Sequence, residues 1–336
     1  MLLVFDIWGQ KMNIQSAAEP AHEANFRATI DRELVHRWAV SEVFPTAVAK
    51  ASSTEFTVSA QWPRWHVFYG GRNCRFDSAL VVETLRQLTV LIAHTHLAVP
   101  LDSPFLMPQI GIAMMAGRRR DATRPANVTV EVQLRDLRVT PNGVAAFRTA
   151  ARFLVGGEEI ARGDAKARIV DPRTYIRYRK RSASGAAEHH VPPVPAAAVG
   201  HLSDWNVVVG QSSKTRMWPL LVDTTNPILF DHPLDHIPGV LLIEAVRQVL
   251  RLEMNDPGLD FERFEAHFLS VAELGSKHDV VLESLNEGPE GIIATAGVHS
   301  VGTVQMRAVA CVRPRGHRSG TPAQPKLPDP GPSPHG

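Results

Sequence analysis

Two apolar segments far apart in the chain carry the same polar stripe, and this repeat limits the possible folds more than any other feature. Ala79 to Leu97 and Gly239 to Met254 are each long and apolar enough to read as buried helices. Val82-Glu83-Thr84-Leu85-Arg86-Gln87 aligns with Ile243-Glu244-Ala245-Val246-Arg247-Gln248, with Glu, Arg and Gln at matching offsets. Glu83 and Glu244 lie 161 residues apart, a period too long for a solenoid and about one domain in length. An internal duplication explains it, and 336 residues leave room for two domains. The loops upstream align less well. Pro63-Arg64-Trp65-His66-Val67-Phe68 faces Pro227-Ile228-Leu229-Phe230-Asp231-His232, and the histidine falls at a different offset.

The order of elements around the helices also repeats. In the first half Phe56 to Gln61 alternates like a strand and precedes the helix. Val128 to Val139, Val144 to Val155 and Glu159 to Val170 follow it, with turns at Pro141-Asn142-Gly143 and Gly156-Gly157. In the second half the strand preceding the helix is Leu220 to Thr224. Phe264 to Ala272, Asp279 to Leu285, Ile292 to His299 and Val304 to Val312 come after it. Between the halves, Tyr178 to about Gly200 is rich in Arg, Ser, Ala, Gly and Pro, the composition of a linker. The expected division is an unassigned segment 1–33, a first domain 34–177, a linker 178–200, a second domain 201–313 and a disordered proline-rich tail 314–336. One strand-helix-meander unit leaves a sheet face uncovered. A tandem pair, each sheet wrapping its long helix, resolves that within one chain as a pseudo-dimer.

Composition excludes several classes. Charged residues at 21% beside 44% hydrophobic ones describe a globular chain. A net charge of +2 is far from the basic excess of a nucleic-acid binder. Cys74 and Cys311 are distant and form no CxxC pair, so neither a disulfide framework nor a metal site is expected, and a reducing cytoplasm fits. The N-terminus lacks a signal peptide's basic and apolar regions, and charged residues interrupt every apolar run that approaches a membrane span.

Chemistry is expected along the polar stripes. Glu244, Arg247, Gln248 and Arg251 stand at offsets 0, 3, 4 and 7, and Glu83, Arg86 and Gln87 at 0, 3 and 4, so each set shares a helix face. A solvated stripe with a weak i,i+3 ion pair is the ordinary explanation. Inside a wrapped helix the same charges need partners or a task. A second lead is Phe230-Asp231-His232-Pro233 followed by Ile237-Pro238-Gly239-Val240-Leu241-Leu242-Ile243-Glu244-Ala245. Pro238-Gly239 launches the helix and brings its free N–H groups to a site. This stretch resembles the β-hydroxyacyl-carrier-protein dehydratase motif, with a shorter spacing from His232 to Pro238. A structural loop histidine is the alternative for His232, and His66, His94, His96 and His236 form no metal pattern. The basic runs Arg118-Arg119-Arg120 and Arg177 to Arg181 are candidate docking sites for an acidic carrier, or solvated turns.

A combination of motifs resembles the A-factor (γ-butyrolactone autoregulator) biosynthesis family over roughly 34–312. The stretches are Val35-His36-Arg37, Glu42-Val43-Phe44, Phe56 through Arg64, Glu83 through Gln87, Pro104-Phe105-Leu106-Met107 and Leu229 through Gly239. The resemblance implies an α+β tandem double hotdog, two antiparallel sheets each wrapping a long central helix. It also implies an acyltransferase that joins a β-ketoacyl group from acyl carrier protein to a hydroxyl of dihydroxyacetone phosphate. The ester then proceeds to a butenolide phosphate, precursor of a signal for antibiotic production in actinomycetes. Carried onto this sequence, Glu83 and Glu244 are candidate bases, and Arg86 and Arg247 candidate holders of the phosphate or thioester oxyanion. His66 and His232 would sit at the site mouth, with Asp231, Gln87, Gln248 and Gly239 in the substrate-binding surroundings. Each site should combine a loop from one half with a helix from the other, and Glu244 is the favoured base. No cofactor is implied. The alternatives are a hotdog dehydratase or thioesterase, or a non-catalytic acyl-ligand-binding regulator.

Overall fold

Gly-turned hairpins and two capped helices set the chain's path. A computed structural model describes residues 4–5, 11–12, 25–70, 75–117, 119–121, 123–182 and 191–315. Strands β1 (Val4–Phe5) and β2 (Lys11–Met12) pair only with each other. Then come β3 (Pro45–Lys50), β4 (Glu55–Trp62), helix α1 (Ser78–His96), β5 (Phe105–Met114), β6 (Ala126–Thr140), β7 (Gly143–Val155) and β8 (Glu158–Ile169). Helix α2 (Pro172–Ser182) leads to β9 (Met217–Pro219), helix α3 (Gly239–Glu253), β10 (Phe261–Phe268), β11 (Asp279–Gly288), β12 (Gly291–Ser300) and β13 (Thr303–Val312). Asp77 starts α1 by accepting the Ala79 N–H at 2.8 Å, and Pro238 starts α3 with a φ suited to that place.

Apart from β1 and β2, every strand joins one antiparallel sheet of eleven in the order β3-β4-β6-β7-β8-β5-β10-β13-β12-β11-β9. Outward from the β5–β10 seam, both directions read alike. The strand after the helix comes first, then the meander from last to first, then the strand before the helix. At the seam Phe264 faces Ile112 and Ala266 faces Ile110. The sheet curls around α1 on one side and α3 on the other, which is why both helices are apolar almost all round. This is the tandem double hotdog, an α+β fold, with its two sheets fused edge to edge.

Several elements depart from the sequence expectation. The strand expected at Leu220 to Thr224 is β9 three residues earlier. Asp223 turns the chain there by accepting the Thr225 N–H at 2.9 Å and its hydroxyl at 2.6 Å. The strand β10 ends at Phe268, short of the expected Ala272. β3 and β5 lie in stretches not read as strands. Pro108 gives β5 no N–H, and the pairing with β8 shifts register between Leu106 and Gln109. The expected linker 178–200 is helical to Ser182, and its end is core, with Val194 and Val199 buried. Gly200 adopts a left-handed φ of 77°, and a Cβ there would meet the Pro257 carbonyl at 2.2 Å, so glycine is required. Part of the segment 1–33 also packs, since Thr46 donates to the Asn25 carbonyl at 2.6 Å. Residues 316–336 of the expected tail lie outside the described residues.

Candidate functional site

Each central helix buries a glutamate among the stripe residues three and four positions on. Glu83 is 1% exposed, and its Oε1 accepts from Arg37 at 2.6 Å, Arg86 at 2.8 Å and Gln87 at 2.7 Å. Burial alone would raise its pKa, but the two guanidinium groups outweigh it and hold it down to about 2. Glu244 accepts from Gln248 at 2.9 Å and from Arg247 at 2.7 Å, and His201 Nε2 lies 2.8 Å from its Oε1. Here too burial is outweighed, by Arg247 and His201, and the carboxyl stays well below the usual range.

The surroundings repeat as well. Gln87 donates to the Glu42 carbonyl at 2.7 Å and accepts from the Phe44 N–H at 2.9 Å. Gln248 donates to the Asn206 carbonyl at 2.7 Å and accepts from the Val208 N–H at 2.9 Å. Each glutamine thereby clasps the end of a short 3₁₀ turn, 40–42 or 204–206. By that correspondence Arg37 and His201 are equivalent partners of the two glutamates.

Loops cross between the halves as expected. In the second half, Asp231 accepts the N–H groups of Trp38 at 2.6 Å and Ala39 at 2.9 Å in the first. In the other direction, Asn206 donates to the Val67 carbonyl at 2.8 Å, and the Phe68 ring lies 5.5 Å from that of His201. Around α1 the structure gathers Glu83, Arg86 and Gln87, and Asp231 with His232 adjoins them through the Trp38–Ala39 backbone next to Arg37. His232 Nδ1 lies 3.5 Å from Asp231 Oδ2 and its ring 6.2 Å from the Trp38 ring. Burial would raise the Asp231 pKa, but His232 and the two N–H donors pull it below its ordinary value.

The two sites differ in access. At α1, Arg86 is 23% exposed and His232 27%. At α3 Glu244, Arg247, Arg251 and Asp77 are buried and engaged, while Asp260 is 18% exposed. Arg247, 3% exposed, donates to Asp77 at 2.7 Å and lies 3.5 Å from Asp260. Arg251 donates to the carbonyls of Leu259 at 2.8 Å and Val199 at 2.7 Å. Ser78 binds Asp260 in turn. A network so enclosed is suited to holding elements together, and the open site to meeting a ligand.

His66 caps its own loop, whose Phe68 and Tyr69 line the cleft between the helices. Its Nδ1 accepts the Phe68 N–H at 3.1 Å and the Tyr69 N–H at 3.2 Å, and its Nε2 lies 3.1 Å from Glu42. Asn226 does the same for Ile228 at 3.0 Å and Leu229 at 2.9 Å. The counterpart of His66 is thus Asn226, not His232, which explains the misaligned histidine. Gly239 has a packing reason, because a Cβ there would meet the Phe268 ring at 3.0 Å. Arg37, His201, Asp77 and Asp260 were not singled out from sequence. Only Arg37 carried a signal, inside the Val35-His36-Arg37 motif. Of the basic runs, Arg118 lies outside the described residues, and Arg179 turns inward to Asp235 at 2.8 Å and Glu273 at 2.5 Å. Among the described residues no helix is long and apolar enough to cross a membrane.

Residues 18–171 and 183–282 match the family described as the A-factor biosynthesis hotdog domain. A protein of Streptomyces virginiae named 2-oxo-3-(phosphooxy)propyl 3-oxoalkanoate synthase is 33% identical over 250 residues, covering 74% of this chain and 84% of that one. Proteins of the same name from Streptomyces coelicolor and Streptomyces griseus are 33% and 30% identical, covering 70% and 76% of this chain and 76% and 85% of their own. Among solved structures, an acyl-ACP thioesterase from Bacteroides thetaiotaomicron superposes with a TM-score of 0.49 at 12% identity, over 76% of this chain and 98% of that one.

Proposed function

The chain belongs to the A-factor biosynthesis hotdog family, and from that premise we propose that it esterifies dihydroxyacetone phosphate with a 3-oxoacyl group. The product in its relatives' name is that ester. One observation supports this choice of site: Asp231, on a loop of the second half, accepts the N–H groups of Trp38 and Ala39, next to Arg37, which pairs with Glu83, and so brings its neighbour His232 to the first half. In this reading each half plays one subunit of a pseudo-dimer, with domains close to 34–177 and 201–313.

His232 Nε2 takes the proton of the acceptor hydroxyl as its oxygen attacks the thioester carbonyl. Asp231 faces Nδ1 and orients the ring. The C–O bond forms, the C–S bond breaks, and the proton passes to the departing thiolate. Glu83 and Glu244 are not the bases in this scheme, because carboxylates held so firmly by cations are poor proton acceptors. Arg86 holds the acceptor phosphate, with Glu83 fixing its guanidinium. The acyl chain is assigned to the cleft between the helices, where Phe68, Tyr69, Val82, Val240, Ile243 and Phe261 form the walls and Glu244 and Arg247 of α3 also line it. Once formed, the ester has an activated methylene placed to condense with its own ketone, and loss of water gives a butenolide phosphate.

The donor is an acyl carrier protein, and α2 is where it docks. Tyr175 and Arg179 pin this helix to Asp235, four residues from Asp231. Arg173, Ile176 and Arg177 remain exposed on one face of it, a basic rim around an apolar centre that suits an acidic helical partner. Carrier thioesters and triose phosphates also suit a cytoplasmic location. The test is direct. Purified protein with 3-oxoacyl carrier protein and dihydroxyacetone phosphate should yield the phosphorylated ester or its butenolide by mass spectrometry. Release of free 3-oxoacid alone would make it a thioesterase.

A further inference from the structure

His36 and His94 face each other beside the α1 site, Nε2 to Nε2, at 2.9 Å. His36 ends the 32–35 turn with a φ of 52°, and His94 stands in the last turn of α1. His94 Nδ1 lies 2.8 Å from the Val99 carbonyl, so that nitrogen carries a proton. In the neutral ring its Nε2 is then an acceptor, and the proton between the rings belongs to His36. A neutral pair has two protons, and these two contacts use both. The Leu101 backbone favours a protonated His36 as well, a place that only a third proton can fill.

What withholds that proton is the company the ring keeps. Burial first, then His94, Arg86 and His232, push His36 down to about 4, and each of these side chains is neutral or cationic. Phe105 on β5 closes another side, its ring 5.5 Å from that of His36 and 5.3 Å from that of His94. Asp231 faces His232, and Glu83 is already clasped by Arg37, Arg86 and Gln87. Arg86 reaches the same corner, since its guanidinium donates to the carbonyl of Val35, the residue before His36, at 3.2 Å, and an anion beside it would offset the charge of a protonated His36.

We propose that His36 and His94, with Arg86 and His232, form a phosphate-monoester subsite that takes up a proton as the dianion binds. The proposal rests on the acceptor assigned above, and it makes the histidine pair positioning residues for that acceptor. It couples tight phosphate binding to protonation, so affinity should rise as pH falls.

Sulfate is the probe, because it stays a dianion near neutrality, so any proton taken up from the buffer must go to the protein. Titration calorimetry in two buffers of different ionisation enthalpy should show proton uptake at pH 7. Affinity should rise by up to about tenfold for each pH unit lowered. Both effects should vanish in His94→Gln and in His36→Asn, where asparagine tolerates the left-handed backbone, and persist in His232→Gln. Imidazole ¹⁵N shifts of the wild-type protein, with and without sulfate, read the same protonation should either variant fail to fold. Sulfate bound without proton uptake overturns the proposal, as does uptake lost only in His232→Gln. Proton-linked sulfate binding without ester formation would instead count against the transferase reading alone.

Discussion

Arg247 and Asp77 meet across the two halves at 2.7 Å, a buried pair that ties the middle of α3 to the cap of α1. Among the described residues Arg86, the equivalent of Arg247, has no such partner across the halves. It bonds Glu83 and the Val35 carbonyl of its own half and keeps a side open. The same duplicated stripe thus serves as a buried staple in one place and leaves a partly exposed arginine in the other.

Breaking the staple should cost stability rather than turnover. Asp77→Asn leaves Arg247 short of a charge partner in a buried site, a defect worth about 3–5 kcal/mol. Chemical denaturation should show that loss, and the surviving folded fraction should retain its specific activity. A loss below about 1 kcal/mol would mean that Glu244 and Asp260 together balance Arg247.

Acid should destabilise the protein in two overlapping steps. His36, depressed to about 4, gives stability that is complete above its ordinary 6.5 and is lost as pH falls through 4. Glu83, depressed from 4.5 to about 2, contributes in full above 4.5 and loses its share toward pH 2, as the depressed Glu244 and Asp77 also do. Urea midpoints should therefore fall continuously from pH 6.5 downward. His36→Asn should flatten the upper part of that curve, and an unchanged upper limb would place the titration elsewhere.

The sequence carried the architecture because burial writes itself into periodicity. Two wrapped helices must be apolar all round, and the exceptions Glu83, Arg86, Glu244 and Arg247 stood out against that background. β3 and β5 were illegible because Pro45 and Pro108 sit within strands whose pairing tolerates them. The asymmetry between the sites was hidden for a different reason. Asp77 and Asp260 lie 170 and 13 residues from Arg247, and no local pattern announces partners brought together by the fold. The preference for Glu244 followed its dehydratase-like context, which said nothing of how completely it is enclosed.

Reversing charge on α2 should separate docking from chemistry. Arg173→Glu with Arg177→Glu should raise KM for a carrier-bound donor by about tenfold or more through lost electrostatic attraction. KM for a pantetheine thioester, which has no protein surface to recognise, should stay the same. Equal effects on both donors would remove α2 from carrier recognition.

Phosphate recognition should follow the open arginine. Arg86→Lys keeps the charge and loses the planar fork, so the acceptor KM should rise while the donor KM stays. Arg247→Lys should leave acceptor kinetics unchanged and lower stability, since its fork is spent on Glu244 and Asp77. The opposite pattern would return the acceptor to the α3 site.

The paired glutamates and the loop histidine give the most discriminating comparison. A general base contributes roughly 10²–10⁴-fold in rate, so His232→Gln should cut kcat by at least the lower figure in a folded protein. Glu244→Gln should leave kcat near the parent value and shift the unfolding midpoint, because Arg247 loses a buried counter-charge and His201 its carboxylate partner. Glu83→Gln should fall between them. It frees Arg86 from its ion pair, so the acceptor KM should change more than kcat. A kcat loss of 10²-fold or more in Glu83→Gln with little effect in His232→Gln would return the base to the helix and end the scheme proposed for the loop histidine.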